Sequence, residues 1–346
     1  KEDPDGNGKN DTIGLTAYSV EFLGWLFNSF EPGLISGSSK TMVRDANGKW
    51  TPVFTTQGAL DGYLAIKNLY DKGGLDKDFA TLKGEEGLDK FVAGKAGALA
   101  WGANYGSLFY VHTRYDKLHP GYKFEDTFSV LKPFKNKDGN YYRIFSDPAW
   151  SETYINAEAD NVKTDKILKL FDFFFSEEGY RITHFGIEGV DWKLENGNVT
   201  IIPQTDASGK TITAFDKYPS IKLNSLAEWS GTGSYINPQL YPQVQALALN
   251  MRDWWLNNSK VYETNVGVKF LNYPSKAQNV ADFKTDFTRI IMSKDTAKTF
   301  NDVKDEYLKN GYSNIIKEVN EAMKYLVYRR RALCPPLICA PSMGNN

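Results

Sequence analysis

Residues 3–11 of the chain read DPDGNGKND, and their spacing suits a single metal ion. Asp3, Asp5, Asn7 and Asp11 fall at positions 1, 3, 5 and 9 of an EF-hand-type loop. Lys9 stands at position 7, where only a backbone carbonyl is needed, and Gly8 at position 6, where the loop turns too sharply for a side chain. Hard oxygen donors alternating along a tight turn converge on Ca2+, so the expectation is a structural calcium site held by Asp3, Asp5, Asn7, Lys9 and Asp11. Position 12 is Gly14 where an EF-hand supplies a bidentate Glu, so either a carboxylate elsewhere completes the shell or the site is weaker. The competing reading is an acidic Asp/Asn/Gly turn with no ion.

The second source of chemistry is aromatic. The chain holds 8 Trp, 20 Tyr and 21 Phe, 14% of its residues, enough for a large core, a sugar-stacking surface, or both. Trp25, Trp101, Tyr105, Trp150, Trp192 and Trp229 fall at expected loops or strand ends, where cleft walls are built. Asn104, Asp147, Glu152 and Asp191 are the candidate hydroxyl partners. Each aromatic competes with a plain core role, and each polar group with a solvated surface role. Trp254 and Trp255 adjoin on an expected helix, which assigns at least one of them to the core.

Covalent chemistry finds little support. His112, His119 and His184 are isolated, and no HExxH, GxSxG, P-loop or dinucleotide fingerprint occurs. His184, inside an apolar helix end, suits packing. A glycosidase needs only two carboxylates about 5–10 Å apart, so counting acids does not exclude one. Glu177 and Glu178 are adjacent on a helix and diverge, which suits a solvated patch.

These residues need elements to position them. The 346 residues, with Lys plus Arg at 41 and Asp plus Glu at 42, suit roughly two globular domains and offer no basic footprint for nucleic acid. No window approaches the roughly 18 apolar residues of a membrane helix. Strands are expected at TIGLTAYS, around the Asn47-Gly48 turn, at GKAGALAW, at TFSVLKPF (127–134, buried), through much of YYRIFSDPAWSETYINAEA, and around Asn196-Gly197. Helices are expected at 56–72, 84–93, from Thr164 through Phe175, and at about 241–257, 279–293, 296–309 and 311–326. Strands alternating with helices make this an α/β protein with a helix-rich C-terminal half. Cys334 and Cys339 occur only in the closing stretch RRRALCPPLICAPSMGNN, so residues 329–346 are read as an unstructured or non-native tail. Lys1 starts directly on a polar loop with no signal peptide, so the chain is expected to be N-terminally truncated.

Three segments together resemble one family. TTQGALDGYLAIKNLYDKGGLDKDF followed by FVAGKAGALAWG, then KILKLFDFFFSEEGYRITHFGIEGVDW, then FNDVKDEYLKNGYSNIIKEVNEA are similar to family 1 extracellular solute-binding proteins, the capture subunits of ABC sugar importers. The SEEG and FGIEGVDW runs resemble the large lipoprotein-type members that handle oligosaccharides, and the DPDGNGKND loop resembles a Ca2+ loop of that group. There an acidic residue follows the last Asp; here it is Thr12. The resemblance implies a two-lobed periplasmic-binding-protein-like (type II) fold with a helix-rich second lobe and an incomplete first lobe. It implies a second lobe over 1–126, a hinge crossing at 127–133, a first-lobe segment at 134–165 and a return over 166–328. Trp101 with Tyr105 in WGANYG, and Trp150 in DPAWS, match segments lining the cleft in that family. It further implies an oligosaccharide ligand released unaltered, an ABC permease as partner, and a monomer. It also implies a lipid anchor on the missing N-terminus and an extracellular, Gram-positive cell-surface location (periplasmic if Gram-negative). The alternative kept open is a carbohydrate-active enzyme, glycosidase or lyase, with a structural calcium.

Overall fold

The computed structural model describes residues 8, 9, 11–35, 37–83, 85–144, 153–207, 209, 211, 212, 214–218, 241–265, 268 and 271–333. Its strands are β1 (Ile13–Ala17), β2 (Met42–Arg44), β3 (Trp50–Pro52), β4 (Ala96–Ala100), β5 (Tyr141–Ile144), β6 (Trp192–Glu195), β7 (Asn198–Ile201), β8 (Gln204–Thr205), β9 (Thr211–Ile212) and β10 (Ser259–Tyr262). Its helices are α1 (Gln57–Asp71), α2 (Glu86–Val92), α3 (Tyr105–Leu118), α4 (Phe124–Thr127), α5 (Asn161–Phe175), α6 (Glu177–Phe185), α7 (Ala214–Lys217), α8 (Pro242–Asn258), α9 (Phe283–Ile291), α10 (Thr296–Tyr307) and α11 (Ser313–Leu333). Two compact units result. Unit 1 comprises Lys1–Gly102, Leu131–Ser146 and Trp254–Asn346; unit 2 comprises Ala103–Val130 and Asp147–Asp253.

Local sequence explains most element ends. Thr56 caps α1 by accepting from the Ala59 amide at 3.1 Å, a contact worth about 1 kcal/mol. The helix stops at Gly73, whose φ of 72° no β-branched residue tolerates. Asn47-Gly48 turns β2 into antiparallel β3, and Asn196-Gly197, both at positive φ, turns β6 into β7. Ser176 ends α5 and starts α6: its hydroxyl donates to the Phe173 carbonyl and accepts from the Gly179 amide. A Cβ on Gly179 would lie 1.8 Å from the Phe173 carbonyl oxygen, so this turn excludes any side chain there.

Unit 1 carries two parallel strand pairs. β1 runs beside β4 in the register Ile13↔Ala96 to Ala17↔Ala100, and β10 beside β5 in the register Ser259↔Tyr141 to Tyr262↔Ile144. Its main core gathers Phe27, Tyr63, Phe79, Phe283, Phe287 and Phe300 from helices α1, α9 and α10, the 3-10 helix at Val20–Ser29 and, for Phe79, the turn segment between α1 and α2. A second cluster packs Met42, Trp50 and Phe54 against Tyr312, just before α11, and Ile315 and Val319 of α11. There the Asn320 amide brackets Trp50, accepting from its N–H at 2.9 Å and donating to its carbonyl at 2.7 Å.

Unit 2 packs α3 residues Tyr105 and Leu108 against Phe124 of α4 and Val244 and Ala248 of α8. Among the described residues, its strands pair as the hairpins β6–β7 and β8–β9.

Four sequence expectations change. Residues 128–134 form no strand: they follow α4 as extended chain, with Leu131 and Phe134 exposed, since neither end finds a pairing partner. Strand in the 141–159 stretch is confined, among its described residues, to β5. Residues 103–126 group with 147–253 and not with the preceding chain, because α3 buries its apolar face on α8, while 131–146 joins unit 1 through the β5–β10 ladder. Helix continues through 329–333, where the Arg run, Ala332 and Leu333 are good helix formers. Cys334 and Cys339 lie outside the described residues.

Candidate functional site

The parallel pair β1/β4 sets the first part of the candidate site. The Tyr18 amide donates to the Ala100 carbonyl at 3.1 Å, so both strands end level, and each is followed at once by an aromatic residue. Tyr18 and Trp101 stack there, ring centroids 4.4 Å apart and planes 4° from parallel. The carboxyl ends of parallel strands are where α/β sheets present ligand-binding residues.

From Tyr18 the aromatic row continues along unit 1. Phe22 meets Tyr18 edge-on at 6.0 Å. Phe22 and Trp25 are three residues apart on a 3-10 helix, whose three-residue turn places them on one face, opposite buried Val20, Leu23 and Phe27. Trp25, 42% exposed, meets Trp255 at 6.4 Å; Trp255 adjoins Trp254 at 6.1 Å; Trp254 meets Tyr141 at 5.0 Å. Both Trp254 and Trp255 are half-buried. Lys132 Nζ lies 4.8 Å from the Trp254 ring centroid and Lys135 Nζ 5.4 Å from that of Tyr141. In the sequence, Trp101, Lys132, Trp254 and Trp255 all fall within two residues of a point where the chain passes between units.

Of the ten ligand residues expected from the sequence, Trp25 and Trp101 belong to this row. Four belong to unit 2 and hold that unit together. Asn104 caps α3, its side-chain oxygen accepting from the Ser107 amide at 3.0 Å. Tyr105 is 3% exposed, its ring beside that of Phe109. Trp192 is equally buried and donates Nε1–H to the Gly186 carbonyl at 3.0 Å. Asp191, also buried, accepts from Lys217, Gln204 and the Ile187 amide. Burial works against its charged form, but Lys217 and the Ile187 amide together hold its pKa below the usual carboxylate value. Asp147, Trp150, Glu152 and Trp229 lie outside the described residues. Tyr18, Trp255, Tyr141 and Lys132 were missed by sequence reasoning. A signal for Tyr18 existed: LTAYS and GALAWG both place an aromatic directly after an alanine-ended strand.

Of the calcium loop, Asp3, Asp5 and Asn7 lie outside the described residues, while Lys9 and Asp11 are exposed. Gly8 has φ 79°, the left-handed turn that loop position 6 requires. Next to Asp11, the buried Thr12 hydroxyl has no hydrogen-bond partner among the described residues. Both features fit a cation loop. Among the described residues no cluster of three His, Cys, Asp or Glu side chains is placed to hold a metal. His184 is a packing residue: Nδ1–H donates to the Tyr180 carbonyl at 2.8 Å and the two rings stack at 4.0 Å.

No protein-family model matches the chain. It is 24% identical over 338 residues to lipoprotein LipO of Bacillus subtilis (strain 168), covering 93% of this chain and 62% of LipO. Its fold matches alginate-binding protein AlgQ2, in a crystal structure without calcium ion, with TM-score 0.54 and 18% identity over 92% of this chain and 65% of AlgQ2. It also matches an EF-hand mutant of the S. pneumoniae ABC-transporter substrate-binding protein FusA in complex with fructo-nystose. There the TM-score is 0.55 at 14% identity, over 95% of this chain and 66% of FusA. The chain therefore spans about two thirds of the length of these proteins, and its fold is that of the solute-binding proteins, as the three sequence segments implied.

Proposed function

We propose that this chain captures an oligosaccharide along the aromatic row of unit 1, leaves it chemically unaltered, and passes it to the permease of an ABC importer. The observation that carries this reading is the row itself. Seven rings lie along one unit in two groups, Trp101–Tyr18–Phe22 and Trp25–Trp255–Trp254–Tyr141, with centroid steps of 4.4 to 6.4 Å inside each group, and the 3-10 helix that carries both Phe22 and Trp25 links them. Flat π-faces suit the C–H-rich faces of sugar rings, and Trp and Tyr add a polar edge for hydroxyls. The likeness to LipO, AlgQ2 and FusA supports the same reading. The likeness to lipoprotein LipO also favours an extracellular lipoprotein.

Calorimetric titration of the chain against a panel of neutral and acidic oligosaccharides tests the proposal. Saturable binding is expected, weakened by about thirtyfold in Trp101→Ala, the equivalent of about 2 kcal/mol for one lost stacking ring. The sugar recovered afterwards should have its original length. Shortened sugar would favour the glycosidase or lyase alternative, and no binding across the panel would overturn the proposal.

The loop at 3–11 is proposed to hold a structural Ca2+, with oxygen ligands from Asp3, Asp5, Asn7, the Lys9 carbonyl and Asp11. The ion would draw these carboxylates together and pin the entry to β1. Excess chelator should lower the melting temperature and added Ca2+ restore it; an identical melting curve in both would refute the assignment.

A further inference from the structure

The row is not uniform along its length. Trp25 and Trp255, in its middle, have no cation over their rings among the described residues, whereas the last two rings, Trp254 and Tyr141, have Lys132 and Lys135 beside them. Both lysines are exposed, and neither forms an ion pair among the described residues. Lys137, two residues beyond Lys135, differs: it pairs with Asp61. Asp138, close in sequence, accepts from the Tyr142 hydroxyl and the Asn140 amide. Among the described residues, the two ammonium groups therefore stand on adjoining rings 5.0 Å apart with no carboxylate paired to either.

Resting on the reading of the row as the saccharide site, we propose that its ligand is an acidic oligosaccharide, one carrying carboxylates on its sugar rings. Lys132 and Lys135 are the residues that select it. A neutral sugar is served by stacking alone and leaves both charges unmatched. A carboxylated sugar stacked beside Trp254 or Tyr141 brings an anion to a mobile ammonium. The lysine stem is long enough to swing from the ring face to the ring edge, and a charge-assisted hydrogen bond is stronger than an exposed cation–π contact. Lysine, a compact point charge, tolerates small differences in where along the row each carboxylate falls.

The test is a pair of calorimetric titrations of the full chain, with a galacturonate trisaccharide and with its methyl ester, which has the same rings but no charge. The acid should bind about tenfold more tightly than the ester, and the gap should narrow at high salt. The double variant Lys132→Gln/Lys135→Gln should bind acid and ester alike, at the affinity of the ester for the parent chain. Both lysines are exposed, so an unchanged circular dichroism spectrum and melting temperature are expected. Equal affinity for acid and ester in the parent chain overturns the proposal while leaving the row as a saccharide site. A variant that weakens both ligands equally also overturns it. Failure of both trisaccharides to bind, together with failure of the wider panel, removes the site reading itself.

Discussion

Helices α9 and α5 lie in different units and show how differently those units use the same kind of residue. In α9, Phe283, Phe287, Ile290 and Ile291 recur at helical spacing, all are buried, and they form one side of the main core of unit 1. In the C-terminal half of α5, Ile167, Leu168, Leu170, Phe171, Phe173, Phe174 and Phe175 point in every direction. Only Phe174 is buried, while Leu168 and Phe175 are 50% and 64% exposed. A helix apolar all round asks for neighbours on every side. The lesson is that apolar content sets how much surface a helix offers for burial, and the partners packed on it set how much is used.

The sharpest way to break this comparison is to remove one ring from each helix. Phe287 is fully buried among Phe27, Tyr63, Phe79 and Phe283. Phe287→Ala should therefore cost about 3–5 kcal/mol in urea unfolding. Phe175→Ala, on the exposed side of α5, should stay within about 0.5 kcal/mol. Equal losses in the two variants would show that the two units bury aromatic surface alike.

A smaller effect sharpens the picture of unit 1. Asp286 of α9 is buried beside that aromatic core and accepts from the Tyr307 hydroxyl at 3.1 Å through each carboxylate oxygen. Burial raises its pKa to about 6, with the Tyr307 hydroxyl working in the opposite direction. Because the folded value lies above the unfolded one, the folded state binds the extra proton. The favourable contribution is present at low pH and is lost as pH rises through about 6. Allowing for solvent screening, the loss is about 1–2 kcal/mol. Asp286→Asn, which keeps an acceptor for Tyr307 and removes the charge, should gain that amount on the parent between pH 4 and pH 7 in parallel urea melts. A constant difference across that range would show that Asp286 is ionised throughout.

Where the sequence was legible, the signal was local. The strand before Tyr18, the helix over 57–71 and both Asn-Gly hairpins were readable because a cap, a glycine or an alternating run lies within a few residues of the feature it sets. The break between α10 and α11 was readable for the same reason, marked by Gly311 at φ 121°. Helix α3 was missed: its apolar residues Tyr105, Leu108 and Val111 make a short stripe whose partners, Val244 and Ala248, stand more than 130 positions later. The buried strand expected at 127–134 failed for the complementary reason, since an apolar run has no way to announce that nothing will pair with it. Of the expected ligand residues, Trp25 and Trp101 are the two that fall in the row, and each stands in or beside a recognisable element. The sequence does not show that Lys217 would reach Asp191.

The amino-acid sequence by itself therefore determined where elements start and stop, the resemblance to solute-binding proteins, and the loop whose donors suit Ca2+. Each of these is written within a window of one turn, one strand or one contiguous motif. Only the tertiary structure decided that residues 18, 22, 25, 101, 141, 254 and 255 form one row. It alone left Lys132 and Lys135 without a carboxylate among the described residues and paired Asp191 with Lys217. Those outcomes depend on residues from 26 to 230 positions apart being brought to one place by burial of their other faces, and no local preference encodes which distant face will meet which.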